Sequence, residues 1–253
     1  MHMDMPGLTQ DRFLDGRLVV AQTRTGFRSG LDAVMLAAAV PAREAESVLE
    51  LGSGAGAASL CLAARIPGCA ILGVERDAVL VDLARRNAAL NNMKENVYFS
   101  AGDVLALPGE LRREFSHVFA NPPFHDEDGE IPADAARAAA LHDEGRLGDW
   151  LRTGLKRTAS SGTFTFILRT DRLAEALAAL PARGIEIFPL WPKAGEPSKR
   201  VVIRLTKGAR RPLALLAGLV LHDANGRYTA QADAVLRDAV PLNFSPRNPG
   251  AHR

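Results

Sequence analysis

"SVLELGSGAG", residues 47–56, decides the expected fold of this chain. A short run of β-branched and leucine side chains ends in three glycines, and an apolar stretch with helical spacing follows up to Pro67. This order predicts a buried strand, a tight turn and a helix. Gly52, Gly54 and Gly56 would let a ligand approach the backbone of the turn closely. Their G-x-G-x-G spacing differs from the G-x-G-x-x-G of dinucleotide-binding proteins, which disfavours a dehydrogenase.

Strand and helix patterns alternate on the C-terminal side of this turn. Further strands are expected at 70–75, 96–103, 117–122 and 162–169, and helices at 77–92, 149–160 and 171–184. The alternation predicts a Rossmann-like α/β fold with a seven-stranded, mostly parallel sheet and helices on both faces. The last two strands, "IEIFPLW" and "RVVIRLTKG", are joined by a loop too short for a crossover helix. We therefore expect this pair to be antiparallel.

Composition places the chain among ordinary globular proteins. It has 253 residues, of which 47% are hydrophobic and 24% charged. No apolar run is long enough for a membrane span, and the N-terminus lacks the basic and apolar regions of a signal peptide. Cys61 and Cys69 fit reduced thiols, without metal-ligand spacing. We expect a cytoplasmic protein that binds no metal and contacts no membrane.

Acidic residues end the second and third predicted strands. Glu75 follows the glycine turn by about twenty residues, where an acid can accept hydrogen bonds from both hydroxyls of a ribose. Asp103 ends the third strand, where a carboxylate could accept from an adenine amine. In an open α/β sheet, ligands bind at the carboxyl ends of the strands. The turn and the two acids therefore predict a nucleotide-binding site.

These motifs carry a family resemblance. "VLELGSGAG", "GVERD", "AGD" and "NPPF" together resemble the class I S-adenosylmethionine-dependent methyltransferases, over about residues 45–208. The resemblance implies S-adenosylmethionine as the cofactor and a final antiparallel strand inserted beside the fifth. It also implies a set of cofactor-binding residues: Gly26, Phe27, Arg28, Gly52, Ser53, Gly54, Gly56, Glu75, Arg76, Asp103, Val104 and Asn121.

"ANPPFH", residues 120–125, is the expected catalytic segment. Asn-Pro-Pro-aromatic resembles the motif of methyltransferases that modify a planar nitrogen. The Asn121 side-chain oxygen and the Pro122 carbonyl would each accept one N–H of the substrate amine, and Pro123 would stiffen the loop. Phe124 would offer a face on which a base can stack. The alternative is a Pro-Pro turn that merely ends an edge strand.

The N-terminal stretch at 13–40 narrows the expected substrate. It resembles the start of the bacterial tRNA-valine adenine-N6 methyltransferase family, matching at Gly26, Phe27, Arg28, Ser29 and Asp32. "SKRVVIRLTKG" at 198–208 resembles the end of that family's catalytic domain. The resemblance implies methyl transfer to adenine N6 in tRNA. "NPPFH" also occurs in guanine-N2 methyltransferases of ribosomal RNA. That alternative stays open, as do glutamine N5 in a protein and a nucleotide-binding module without catalysis.

A basic run at 193–211 fits a polyanionic partner. It holds seven basic residues against one acid, Glu196, although a solvated surface strand would look the same. We expect RNA, and tRNA in particular, as the partner. Its phosphates would meet Lys199 and Arg200, with Arg204 and Lys207 as further candidates. Two histidines are ambiguous: His125 could touch the base or its phosphate, and His142 is more simply structural.

Three regions are expected along the chain. Residues 1–40 would form a cap over the cofactor site, and residues 41–210 the methyltransferase domain. Residues 211–253 would add a β-hairpin, a helix and a tail, with Asn225-Gly226 as the hairpin turn.

Overall fold

The computed structural model describes residues 7–123 and 147–244. The strands are β1 (Leu8–Phe13), β2 (Leu18–Thr23), β3 (Ser47–Leu51), β4 (Ala70–Glu75), β5 (Val97–Ala101), β6 (Phe115–Ala120), β7 (Thr158–Arg169), β8 (Ile185–Lys193), β9 (Arg200–Thr206), β10 (Ala214–Leu215) and β11 (Leu219–His222). The helices are α1 (Leu31–Ala39), α2 (Ala57–Arg65), α3 (Ala78–Leu90), α4 (Leu147–Arg157), α5 (Leu173–Ala178) and α6 (Ala230–Asp238).

The central sheet has the order β5-β4-β3-β6-β7-β9-β8. β9 is antiparallel to both neighbours, β7 and β8, whereas the pairs among β3, β4, β5, β6 and β7 are parallel. The mostly parallel α/β sheet and the antiparallel strand inserted beside the fifth are thereby confirmed. Within residues 7–123 and 147–244 the sheet has nine strands rather than seven, because β10 and β11 both pair in parallel with β8.

The C-terminal extension differs from the predicted hairpin. A turn does form, with the Gly226 N–H donating to the Asp223 carbonyl at 3.1 Å. The returning chain, however, makes only one antiparallel bridge, between His222 and Tyr228, before α6 begins. The hairpin is therefore short, and β11 makes its longer pairing on its other side, with the open edge of β8. That pairing buries Leu219 and Leu221 in the core.

Helices cover both faces of the sheet over separate apolar cores. One core packs α1, α2, α3 and α6 against side chains such as Val48 and Phe119. The other packs α4 and α5 against the alternating residues, such as Leu49 and Phe166. Within the described ranges, no helix is long and apolar enough to cross a membrane.

The β1–β2 hairpin is attached to α3 by two asparagine side chains one helical turn apart. Asn87 exchanges hydrogen bonds with the backbone of Ala21, with Oδ1 accepting at 2.8 Å and Nδ2 donating at 2.9 Å. Asn91 makes the same pair of bonds with Val19, at 3.0 and 2.8 Å. The second Asn87 amide hydrogen goes to the carbonyl of Ala55, at 2.9 Å. Asn87 therefore ties the hairpin to the glycine turn.

Replacing Asn87 by alanine should destabilise the fold by about 2–4 kcal/mol, because three buried backbone groups lose their partner. Urea denaturation followed by circular dichroism measures the change. Asn96→Ala is the matched control, since Asn96 is exposed at the start of β5 and should change stability little. A loss no greater than that of the control would show that the amide does not hold the hairpin.

Candidate active site

The glycine turn presents bare backbone to a cavity. Its first two N–H groups, of Gly52 and Ser53, donate to the carbonyl of Val74 at 2.8 and 3.0 Å, which fixes the turn to β4. Gly54 has a φ of +52°, and a Cβ there would meet nothing within 4 Å. Gly56 serves packing instead, because its φ is +86° and a Cβ there would lie 2.6 Å from the ring of Phe99.

The cavity lies at the carboxyl ends of the strands from β3 to β6. It has a volume of about 410 Å³, within the usual range for small-molecule sites. Eleven residues predicted from the sequence line it: Phe27, Gly52, Ser53, Gly54, Glu75, Arg76, Asp103, Val104, Asn121, Pro122 and Pro123. The structure thus brings residues of both predicted sets, cofactor-binding and catalytic, to one site.

Other predicted site residues lie elsewhere or outside the described ranges. Gly26, Arg28 and Gly56 are not among the lining residues. Arg28 pairs with Asp11 of β1, with Nη2 2.7 Å from the carboxylate. The predicted roles of Phe124, His125 and His142 fall outside the described residues.

Backbone amides hold the two predicted acids in place. The Glu75 carboxylate accepts from the N–H groups of Gly54 and Asp77, each at 3.0 Å. Asp103 accepts from the Leu105 N–H at 2.8 Å and so caps a short 3₁₀ turn. A carboxylate has about four lone-pair positions, so both acids keep acceptor capacity for a ligand in the cavity.

Glu50 is a third acid in the cavity, and the sequence analysis missed it. It lies on β3 and is only 3% exposed, with one carboxylate oxygen accepting from both the N–H and the hydroxyl of Ser59. Burial raises the pKa of Glu50 to about 8; the Ser59 bonds oppose the rise and the charge of Glu75 adds to it. Glu50 is therefore largely protonated at neutral pH.

This raised pKa predicts a pH-dependent stability. Between the ordinary pKa of 4.5 and about 8, folded Glu50 keeps its proton while the unfolded chain loses it. Stability should then fall as pH rises through this window, by up to about 1.4 kcal/mol per pH unit. Glu50→Gln should flatten the slope of the unfolding free energy and be more stable than the wild type at pH 8. Parallel curves of unfolding free energy against pH for the two proteins would contradict this prediction. Glu95→Gln, at an exposed acid, is the control.

Two buried acceptors in the cavity lack a partner. The side-chain oxygens of Asn121 and Ser53 are both buried and make no hydrogen bond in the part of the chain that the structure describes. Leaving such a group unpaired costs about 1–3 kcal/mol, so native structures rarely tolerate it without a reason. Both residues line the cavity, where a ligand N–H or O–H would supply the missing donor.

Trp150 in the first turn of α4 also lines the cavity without having been predicted. A Cβ at Gly52 would lie 2.7 Å from its indole ring, so the ring packs directly on the glycine turn. An aromatic residue inside a helical pattern is more often part of the core. The one available signal was that the segment follows the Asn-Pro-Pro motif.

The basic run does not form one charged surface. Arg204 pairs with Glu186 at 3.0 Å, and its guanidinium lies 3.8 Å from the ring centroid of Phe244. Lys207 pairs with Glu114 at 3.0 Å, and Arg200 with Asp32 of α1 at 3.0 Å. Lys199 is exposed.

The polar groups of the cavity suit an organic ligand with several hydrogen-bond donors. Glu50, Glu75 and Asp103 all line the cavity and offer acceptor oxygens, and S-adenosylmethionine carries an ammonium group, an adenine amine and ribose hydroxyls that can donate to them. The unpaired acceptors of Ser53 and Asn121 add sites for its N–H and O–H groups or for those of a substrate. Across residues 7–123 and 147–244, no cluster of three or more His, Cys, Asp or Glu could hold a metal ion.

Comparisons with known proteins agree with this geometry. A family model described as the methyltransferase small domain matches residues 29–147. The crystal structure of a predicted O-methyltransferase from Agrobacterium tumefaciens is similar, with a TM-score of 0.70 and 28% identity, covering 86% of this chain and 99% of that chain. A 16S rRNA N2 G1207 methyltransferase of Thermus thermophilus shares the fold, with a TM-score of 0.54 at 19% identity over 79% of this chain and 50% of that chain.

The fold, the cavity and these comparisons support a class I S-adenosylmethionine-dependent methyltransferase, with S-adenosylmethionine as its cofactor. Within this class it is similar over most of its length to enzymes named tRNA1(Val) (adenine(37)-N6)-methyltransferase. The enzyme of that name from Dickeya chrysanthemi is 29% identical over 242 residues, covering 92% of this chain and 95% of the relative.

Proposed function

We propose that this enzyme methylates an exocyclic base amine, and that its substrate is adenine N6 in tRNA. The observation that carries the proposal is the buried, unpaired side-chain oxygen of Asn121 in the cofactor cavity. The similarity to the tRNA1(Val) adenine-N6 methyltransferases supports adenine in tRNA as the acceptor. A methyltransferase for hydroxyl groups would have less use for two neighbouring acceptors, since a hydroxyl brings one hydrogen and an amine brings two.

Asn121 and Pro122 would activate the amine by position and charge. A base amine is a poor nucleophile because its lone pair is delocalised into the ring. Acceptance of one N–H by the Asn121 oxygen and of the other by the Pro122 carbonyl would turn the lone pair towards the cofactor. Positive charge develops on the nitrogen during attack, so the same two acceptors stabilise the transition state. The cofactor, when bound, supplies an electrophilic methyl group.

The remaining predicted contacts divide between cofactor and RNA. We propose that Glu75 accepts from the ribose hydroxyls of the cofactor and Asp103 from its adenine amine, as both acids line the cavity. Phe124 is proposed to stack on a base that has been extruded from its neighbours. Exposed Lys199 is proposed to contact phosphate, and Arg200 to do so while paired with Asp32.

The proposed regional roles follow from how the segments meet the cavity. Residues 1–40 would cap the cofactor site, since Phe27, Ser29 and Ala33 line it and Asn87 ties the hairpin to the glycine turn. Residues 41–210 would form the catalytic domain, and residues 211–253 an extension of its sheet. A tRNA substrate further implies a cytoplasmic enzyme.

The test is mass spectrometry of RNA nucleosides after incubation with isotopically labelled S-adenosylmethionine. The substrate is total RNA from a strain that lacks this gene, fractionated into tRNA and ribosomal RNA. Labelled N6-methyladenosine confined to tRNA is the expected result. Labelled N2-methylguanosine in ribosomal RNA, or label only in protein glutamine, would overturn the choice of acceptor. Cofactor binding without transfer to any RNA or protein would instead indicate a non-catalytic module.

A further inference from the structure

The C-terminal extension reaches the end of the sheet at which the cavity lies, where the parallel strands have their carboxyl ends. The cavity lies at the carboxyl ends of parallel strands, and β8 runs in the same direction as β7 because both are antiparallel to β9. Its last residue, Lys193, therefore lies at that edge. β11 is parallel to β8 and places His222 in register with Lys193. Residues that had no assigned role thus lie beside the substrate side of the molecule.

Four side chains at this point share one face of the sheet. Leu219 and Leu221 of β11 enter the core, so the alternating residues, including His222, lie on the opposite face. Trp191 and Lys193 are register partners of β11 residues on that face. Tyr228 joins them through its bridge to His222, and the two rings stack with centroids 4.8 Å apart. We call Trp191, Lys193, His222 and Tyr228 the β8–β11 patch.

Hydrogen bonds fix the patch, yet its outer surface remains accessible. The Trp191 indole donates to the carbonyl of Ala217 at 2.9 Å. His222 Nδ1 donates to the carbonyl of Pro192 at 3.2 Å, since a carbonyl can only accept. Tyr228 is nevertheless 41% exposed, and the side chain of Lys193 has no ion-pair partner among the described residues. The patch thus combines a positioned aromatic surface with an available cation.

We propose that the β8–β11 patch binds an unpaired nucleotide of the RNA substrate away from the target base, with the base on Tyr228 and a phosphate at Lys193. The inference rests on the proposed function. Aromatic rings interleaved with cations are the usual platform for single-stranded RNA. β11 lies four strand spacings from β6, about 19 Å. That is too far for the target base and within reach of nearby nucleotides.

Local charge agrees with an RNA occupant. Lys199 lies at the same edge, at the start of β9, and is exposed. Of the acids nearby, Asp223 pairs with Arg227 at 3.6 Å, while Glu196 lies in the loop between the two lysines. Lys193 and Lys199 therefore outnumber Glu196, which makes no ion pair within the described residues.

The test compares RNA affinity and cofactor affinity in matched tyrosine variants. Tyr228→Ala should raise the Kd for total tRNA from the deletion strain about five- to tenfold, and Tyr228→Phe and Tyr228→Trp should bind like the wild type. The Kd for S-adenosylmethionine should not change. Tyr98→Ala is the control, because Tyr98 is also exposed but lies on β5, at the other end of the sheet. Lys193→Ala should make the fall of log K for tRNA binding with log salt shallower, reducing the magnitude of the slope by about one.

Tyr228→Leu separates loss of stacking from loss of folding, because leucine keeps apolar bulk without an aromatic face. A folded Tyr228→Leu protein that binds tRNA as weakly as Tyr228→Ala supports stacking. If all Tyr228 variants bind tRNA as tightly as Tyr98→Ala, the patch is not an RNA site, whatever the wild type methylates. A wild-type protein that methylates no RNA would refute the proposed function itself, which the nucleoside analysis shows separately. Loss of a co-purifying protein in Tyr228→Ala, with tRNA binding intact, would also overturn the proposal.

Discussion

Asn121→Ala should reduce methyl transfer by a factor of about 100 to 1000, while cofactor binding stays within about twofold of the wild type. The buried Asn121 oxygen has no donor in the described structure, so its loss removes an acceptor without breaking a hydrogen bond of that oxygen. Single-turnover kinetics on RNA measures the transfer step, and calorimetry measures the Kd for S-adenosylmethionine. The effect should fall on kcat, because the acceptor acts most strongly as charge develops on the amine.

Two further asparagine variants sharpen this result. Asn121→Asp keeps an acceptor oxygen and should retain more activity than Asn121→Ala. Asn96→Ala removes an exposed asparagine far from the cavity and should be fully active. Full activity of Asn121→Ala on its RNA would refute the proposed role. A loss of activity that followed a loss of cofactor binding would make Asn121 a cofactor ligand only.

Glu75→Ala should weaken S-adenosylmethionine binding by about 100-fold, since hydrogen bonds to a charged group each contribute about 1.5–3 kcal/mol. The change has two physical parts. The cofactor would lose an acceptor for its ribose hydroxyls, and the N–H of Gly54 would lose its carboxylate partner, which loosens the glycine turn. Calorimetric titration with S-adenosylmethionine and with S-adenosylhomocysteine measures the change.

Two control variants show whether the effect of Glu75→Ala comes from this carboxylate in particular. Glu75→Gln retains one acceptor oxygen and should give an intermediate affinity. Glu95→Ala removes an exposed acid in the turn between α3 and β5 and should bind the cofactor normally. If Glu75→Ala bound the cofactor as tightly as Glu95→Ala did, Glu75 would serve only to hold the turn.

Local patterns in the sequence were enough to predict the central architecture. Strand-length apolar runs and helical spacing placed β3 to β9 and the helices among them, and a short loop predicted the antiparallel pair of β8 and β9. The pairing of β10 and β11 with β8 could not be predicted in this way. The hairpin signal at Asn225-Gly226 is local, whereas the open edge of β8 is created by the rest of the fold.

Site residues could be predicted from the sequence where they lie in a turn or at the end of a strand. Glu75 and Asp103 follow that rule and line the cavity. Glu50 and Trp150 do not follow it, because their places depend on how β3 and α4 pack around the turn. Arg204 shows the opposite error. In the sequence its charge was a candidate for RNA phosphate, but in the fold the guanidinium pairs with Glu186 and lies over the ring of Phe244.

The attachment of the β1–β2 hairpin bears on which substitutions the protein can accept. The hydrogen bonds that Asn87 and Asn91 make to the hairpin go to main-chain atoms of Ala21 and Val19, so these bonds recognise an extended strand and not its side chains. At positions 19 and 21 these hydrogen bonds require only a backbone N–H and a backbone carbonyl, which every residue except proline provides. The hairpin is therefore held by Asn87 and by Asn91 at the end of α3, whatever side chains positions 19 and 21 carry. Position 21 is limited instead by packing, because the Ala21 side chain is buried against Ala55 and Leu83.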